Sequence, residues 1–297
     1  DLDDDDRVCS VPSESIVFLS SETSWPLDFY VANARAVSFL DQFSWIYSCH
    51  AVYRSNVTSD LPFLPWMVNA NHGESIAQAH ERDVNYFLGL DPIDKQRELS
   101  VICSNQTSTE GHRIRLRFVE KLKEHFQDRL DWFGNGVRPI EEKWTGLAPY
   151  KYSIAIENNV AHNVITEKLW DPLLTWTMPI YAGAPNARTF VHEGSFLSID
   201  IRDLNGSIAS IEAALENDRY SAALSALDSA REQVLGPLNL YSRLAAVAQR
   251  HAGRGSVQRI QLDPMADRTA AEARSATRIL GEQINKVGEL LVKRSLR

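Results

Sequence analysis

From residue 99 onward, short apolar runs alternate with longer amphipathic stretches, and this alternation constrains the fold more than any other feature of the chain. LSVICSN, RLDWFGNG, YKYSIAIEN, MPIYAGA and FLSID read as strands, while EGHRIRLRFVEKLKEHF and TEKLWDPLLTW read as helices. Short apolar runs bounded by turn residues are buried strands, and an apolar period near 3.6 marks one face of a helix. Strands and helices in alternation build a parallel sheet covered on both faces. Right-handed crossovers then lead to a Rossmann-like layout, with the ligand crevice beyond the carboxyl ends of the strands. Upstream, SIVFLSSE and SWIYSCH read as strands and ANARAVSFLDQF as a helix. Residues 54–97 hold Pro62, Pro65 and Pro92 and read as loops, a short helix and a linker. After Asn205 the pattern turns helical, in GSIASIEAALEN, NLYSRLAAVAQRHAG and residues 267–293. The first ten or so residues read as a solvated acidic leader.

With 297 residues, 44% of them hydrophobic, the chain can bury a sizeable core. Its net charge of -8 repels phosphate backbones at long range, which argues against a general nucleic-acid binder but leaves room for a local basic pocket. No apolar run reaches the roughly 18 residues that span a bilayer, and the start shows no signal-peptide pattern. The opening DLDDDD, without Met, reads as the start of a partial chain. Cys9, Cys49 and Cys103 have neither metal-ligand spacing nor a CxxC motif, and read as buried thiols. Asn56, Asn105 and Asn205 open N-x-S/T tripeptides, which are too common by chance to mark secretion. GxGxxG, P-loop, HExxH and GxSxG motifs do not occur. Asp200 and Asp203 are the nearest approach to an acidic metal pair, and a weak one.

Three handovers from strand to helix carry unusual residues. In the helix starting near Glu110, Arg115 shares the apolar face of Phe118, Val119, Leu122 and Phe126. An inward guanidinium needs an anionic partner; an internal carboxylate or a snorkelling side chain explains it as well as a ligand does. In IENNVAHNVITEKLW a strand ends at Glu157 and Asn158, and Thr166 is a natural N-cap. Glu167 in the first turn suits the helix dipole, whereas Lys168 opposes it. A phosphate at that helix terminus would reverse the sign; a lysine leaning into water is the plainer account. Finally, Glu22 stands at the end of an early strand, where an exposed turn acid is the plain reading.

The stretch YKYSIAIENNVAHNVITEKLWDPLLTWTMPIYAGAP resembles the signature of the alpha-1,3/1,4-fucosyltransferases, glycosyltransferase family 10. That family carries a pattern close to YKFxLxFEN, a variable spacer, YITEKLW and VPVVxG. VICSNQTSTEGHRIRLRFVEKL and DWFGNG resemble the segment before it and SFLSIDIRDL the segment after it, so the likeness runs over residues 99–204 and more faintly back to residue 16. Two departures stand out: Val164 occupies the place of the family tyrosine, and Thr-Ser-Trp-Pro rather than Ser-Pro follows Glu22.

The resemblance implies an α/β fold of GT-B type: two Rossmann-like domains facing a cleft, an amino-terminal one short enough to be incomplete, and a helical carboxyl-terminal extension. The implied organisation is an acceptor-side domain and linker over residues 1–97, a donor-binding domain over 98–235 and carboxyl-terminal helices over 236–297. The implied activity is inverting transfer of fucose from GDP-fucose to a glycan hydroxyl, with no metal or other cofactor required. By position, Arg115 and Lys168 would contact the donor phosphates, Glu167 the ribose hydroxyls, Asn158 and Glu157 the donor pocket, and Glu22 would be the catalytic base. The alternatives are another GDP-sugar donor on the same fold, or an inactive sugar-nucleotide-binding module. The carboxyl-terminal helices are a further candidate for self-association or contact with a membrane surface. The sequence names neither the acceptor nor the compartment.

Overall fold

The computed structural model describes residues 8–21, 23, 40–50, 55–68, 82–253 and 255–262. Four short strands open the chain: β1 (Val8–Pro12), β2 (Val17–Leu19), β3 (Trp45–Ser48) and β4 (Val57–Ser59). Strands β2, β3 and β4 form a parallel sheet in that order. Leu40 and Ile46 are fully buried and pack with Phe18, Phe43 and Val57. The helix expected over ANARAVSFLDQF falls mostly outside the described residues, as does Glu22. Strand β4 was not expected; three residues are too few to show a period of two. The short helix expected within 54–97 is α1 (Val84–Leu88), capped by Asp83, whose carboxylate accepts from Tyr86 N.

The larger sheet has five parallel strands: β5 (Arg97–Ile102), β6 (Leu130–Phe133), β7 (Tyr150–Ile156), β8 (Met178–Ala182) and β9 (Leu197–Ser198). Their spatial order is β6-β5-β7-β8-β9. Taken in chain order this is 2-1-3-4-5, a doubly wound sheet whose connections reverse direction between β5 and β7. The crossovers carry α2 (Glu110–Phe126), α3 (Lys143–Leu147) and α4 (Glu167–Leu174). The apolar face predicted for α2 is the buried one: Arg115, Phe118, Val119, Leu122 and Phe126. Strand β8 is buried along its whole length and β7 nearly so, as strands covered on both faces must be. Four helices follow: α5 (Leu204–Glu216), α6 (Arg219–Ala222), α7 (Leu224–Leu235) and α8 (Leu240–Arg250). Helix α5 packs on α2, and α7 on α4.

The chain then returns to its beginning. Val247 of α8 is buried with Tyr47 and Phe63, beside Val17, Leu19, Leu240 and Leu244. Arg243 donates to Leu61 O (2.7 Å) and Pro62 O (2.8 Å), and pairs with Asp60 at 3.2 Å. Beyond α8, β10 (Val257–Gln261) pairs antiparallel with β1, Val8 opposite Gln261. This corrects two expectations. Residues 8–12 are a strand rather than part of a solvated leader, and residues 236–297 are not uniformly helical, since 257–261 complete a ribbon. Residues 267–293 lie outside the described residues. No helix among the described residues is long and apolar enough to cross a membrane.

The two parallel sheets approach through the loop between β7 and α4. Asn163 Nδ2 donates to Ser59 Oγ, at the end of β4, at 2.8 Å, and Asn159 Nδ2 donates to Thr23 O at 3.4 Å. Asn163 adopts φ +64°, which asparagine tolerates better than most residues. A reciprocal pair fixes it there: Asn186 Oδ1 accepts from Asn163 N (2.9 Å) and Asn186 Nδ2 donates to Asn163 Oδ1 (2.7 Å).

Candidate active site

Where the strand order reverses, adjacent connections leave on opposite faces of the sheet and open a crevice at the carboxyl ends. A cavity of about 230 Å³ occupies this position. Its walls include Ile102, Cys103 and Ser104 at the end of β5, Gly134 and Asn135 after β6, and Asn158 after β7. Gly134 has φ +143°, and a Cβ there would meet Cys103 O at 2.4 Å, so only glycine brings the β6 turn so close to β5.

Helix α2 supplies one wall. Thr109 caps it, its hydroxyl accepting from His112 N at 3.2 Å. Gly111 in the first turn lies so close to the end of β7 that an added Cβ would sit 2.1 Å from Asn158 O. This approach carries Arg115 into the cavity with only 7% of its surface exposed. Arg115 Nη1 donates to Asn158 Oδ1 at 2.5 Å, and Nε is buried without a hydrogen-bond acceptor among the described residues. Asn158 is a neutral partner, so among the described residues no carboxylate is hydrogen-bonded to the guanidinium. Burying an unsatisfied donor costs on the order of 1–3 kcal/mol, a cost that an anion in the cavity would offset. Burial first, then Arg115 and Lys168, lower the pKa of His112 on the same wall.

Helix α4 supplies the facing wall. Thr166 is its N-cap, as expected, with the hydroxyl accepting from Lys168 N at 3.3 Å. Both oxygens of Glu157 hold this cap: Oε1 accepts from Thr166 N and Oε2 from Thr166 Oγ1, each at 2.8 Å. Glu157 is 2% exposed, burial raises its pKa, and it does not line the cavity. Expected in the donor pocket, Glu157 lies behind the cavity wall, with Oε1 on the backbone amide and Oε2 on the hydroxyl of Thr166, the residue that caps α4. Lys168 does line the cavity, with Nζ at 3.1 Å from Glu167 Oε1, 3.2 Å from Thr166 Oγ1 and 3.7 Å from Glu157 Oε2. These partners relieve the conflict with the helix dipole that the sequence displayed.

Glu167 also lines the cavity, with 15% of its side chain exposed. Burial pushes its pKa up, but Lys168 and Lys143 outweigh burial and hold the carboxyl at about 2. Lys143, at the start of α3, lies 2.9 Å from Asp171 and 3.5 Å from Glu167. Asp171 Oδ1 in turn accepts from Met67 N at 2.7 Å, fixing a segment that arrives from β4. Neither Lys143 nor Asp171 stood out in the sequence. The available signal was Asp171 itself, an acid four residues after Glu167, set among Leu169, Trp170, Leu173 and Leu174. On this side, apolar Met67, Ile140, Leu147 and Pro172 complete the wall.

The structure therefore brings Arg115, Asn158, Glu167 and Lys168 to one cavity and sets Glu157 behind it. Glu22 falls outside the described residues. Val164, in the place of the family tyrosine, is 1% exposed and does not line the cavity. Asp200 is engaged by Arg202 at 2.9 Å, and Asp203 caps α5 by accepting from Gly206 N. Among the described residues no group of three or more His, Cys, Asp or Glu side chains is placed to hold a metal ion. Chemically, the cavity offers three cationic side chains, Arg115, Lys143 and Lys168, and two helix N-termini to an anion, a charged carboxylate to hydroxyl groups and an apolar wall to a flat ring.

Residues 93–219 match the profile of glycosyltransferase family 10 (fucosyltransferase), C-terminal part. Over 45 residues the chain is 49% identical to GDP-fucose protein O-fucosyltransferase 3 of Xenopus tropicalis, covering 15% of this chain and 10% of the relative. Over 114 residues it is 31% identical to 4-galactosyl-N-acetylglucosaminide 3-alpha-L-fucosyltransferase FUT5 of Gorilla gorilla gorilla, covering 37% and 30%. Over 169 residues it is 24% identical to a putative fucosyltransferase-like protein of Arabidopsis thaliana, covering 55% and 32%. The matched stretches thus span about a tenth to a third of these relatives. Among solved structures, an alpha1,3-fucosyltransferase crystallised with GDP-fucose superposes with a TM-score of 0.51 at 16% identity, covering 84% of this chain and 77% of that one. That likeness supports the fold: two parallel-sheet units of GT-B type.

Proposed function

We propose that this chain, whose residues 93–219 match the model of glycosyltransferase family 10, transfers fucose from GDP-fucose to a hydroxyl of an acceptor glycan. The observation that carries this reading is the meeting of Arg115, from the second turn of α2, and Lys168, from the first turn of α4, where the strand order reverses. The GDP-fucose complex of a protein with this fold supports the same donor.

On this reading the diphosphate lies against Arg115, Lys168 and the amide ends of α2 and α4. The ribose hydroxyls donate to Glu167, and the base lies toward Met67, Ile140 and Leu147. The acceptor oxygen attacks C1 of the sugar as the bond from C1 to the phosphate oxygen breaks, and GDP departs with the bonding electrons. Attack opposite the leaving group inverts the anomeric centre through an oxocarbenium-like state. Glu22 takes the acceptor proton as general base. Negative charge growing on GDP meets cations and dipoles already in place, the preorganised stabilisation that often contributes most to catalysis. Such neutralisation removes the need for a divalent cation, so turnover should withstand EDTA.

The test is a transfer and hydrolysis assay with GDP-fucose and GDP-mannose over a glycan array. Transfer of fucose with an inverted anomeric centre supports the proposal. Preference for GDP-mannose would reassign the donor, and GDP binding without turnover would make the protein a binding module.

A further inference from the structure

Lys143 contributes to the cavity from α3, a helix on which no donor contact was expected. Its ammonium stands between two carboxylates that do different work. Glu167, at 3.5 Å, faces the cavity, while Asp171, at 2.9 Å and 1% exposed, holds the backbone of Met67. The adjoining residue, Val68, accepts from Trp144 N on the same α3 at 3.1 Å. One end of α3 thus fixes both a carboxylate and the chain segment that forms part of the cavity wall.

Resting on the donor reading above, we propose that Lys143 is a positioning residue for the sugar nucleotide: it keeps the Glu167 carboxylate charged and aimed into the cavity, and through Asp171 it holds the Met67 wall in register. A carboxylate that accepts from two ribose hydroxyls must be ionised, because charged acceptors form the stronger bonds. The charged groups around Glu167 are Lys168 and Asp171 on its own helix, Lys143 on α3 and Glu157 after β7, with Arg115 and His112 on the facing α2. Burial and the neighbouring acids favour the protonated form of Glu167; Lys168 and Lys143 oppose it. Without Lys143, one cation faces three carboxylates on that wall, and Glu167 takes up a proton nearer the usual carboxylate range.

The experiment is calorimetric titration with GDP at pH 7.5 and pH 4 for the wild type, Lys143→Met, Lys143→Arg, Asp171→Asn and Lys143→Met/Glu167→Gln, each variant read as its affinity relative to the wild type at the same pH, because the terminal phosphate of GDP itself takes up a proton near about pH 6. Lys143→Met should bind more weakly than the wild type at pH 7.5 and lose about a further threefold relative to it by pH 4, where a carboxyl in its usual range is mostly protonated and a neutral acceptor replaces a charged one. Lys143→Arg should keep a constant ratio to the wild type. Asp171→Asn should also keep a constant ratio but bind more weakly, because the Met67 wall loosens while Lys143 stays on Glu167. In the double variant the ratio should no longer change with pH. Where methionine prevents folding, Lys143→Gln, which can still donate to Asp171, carries the same expectation. A ratio constant with pH in Lys143→Met, or a pH-dependent ratio that survives Glu167→Gln, would overturn the inference. Failure of the wild type to bind GDP at either pH would instead remove the donor reading on which it stands.

Discussion

Arg115, on the buried face of α2, donates to Asn158 at the carboxyl end of β7 at 2.5 Å, so that a helix on one face of the sheet is tied to the strand end at its crevice. The bond orients the guanidinium without neutralising it. An anion in the cavity would complete the charge balance, and Arg115→Met should therefore weaken GDP binding about 10- to 100-fold, the range for a hydrogen bond to a charged group. Arg115→Lys should recover only part of the loss, since an ammonium cannot hold Asn158 and a phosphate with one planar fork. Titration calorimetry with GDP checks both.

Lys168 lines the same cavity from the first turn of α4, where growing negative charge on the leaving group would be felt most. Lys168→Ala should lower kcat/KM for GDP-fucose about 100-fold or more, as removal of one preorganised donor does elsewhere. Steady-state kinetics against both substrates would show the donor parameters change while the acceptor KM stays near its original value.

Glu22 is the proposed base on the resemblance of its surroundings to the family pattern, and its substitution separates chemistry from binding. Glu22→Gln should bind GDP as the wild type does and lose about 100- to 10,000-fold in turnover. Unchanged turnover would move the search to His50, which lies after β3.

Gly111→Ala sets two effects against each other. Alanine favours a helix interior by about 1 kcal/mol over glycine, and by less in the first turn, where Gly111 stands. Its Cβ, however, would stand 2.1 Å from Asn158 O, a backbone atom, and overpacking of that kind costs roughly 1–3 kcal/mol or more. The clash should prevail: Tm should fall by several degrees, and GDP affinity with it, because α2 must retreat from Asn158.

Lys95 gives a pH signature independent of the site. Its ammonium donates to Ala148 O, Thr175 O and Thr177 Oγ1, and burial, followed by repulsion from Arg231, lowers its pKa to about 7. The unfolded chain holds this proton up to its ordinary range, so between pH 7 and 9 the unfolded state binds more protons. Stability must then rise with pH by up to about 1.4 kcal/mol per unit. Thermal unfolding should show Tm climbing from pH 7 to 9, and Lys95→Met should flatten the slope.

Local patterns carried much of this structure in the sequence. Helix α2 and the Thr166 cap are written in contiguous residues, a 3.6 period in one case and a capping hydroxyl before an acid in the other. Arg115 was legible because the period placed a charge among Phe118, Val119 and Leu122. What escaped depends on residues far apart. Strands β1 and β10 pair across some 250 positions, and neither is apolar enough to announce a strand alone. Lys143, Asp171 and Met67 meet only after three segments fold together. Glu157 was placed in the cavity because its position in the motif was visible, whereas the two bonds that hold it to Thr166 were not.

The central claim is that a diphosphate rests between Arg115 and Lys168, and titration of the wild type and of the Arg115→Met/Lys168→Ala variant with GDP tests it most directly. Saturable binding by the wild type, lost in a double variant that still unfolds cooperatively, is the predicted result. Equal affinity in both proteins, or no binding by the wild type, would contradict it.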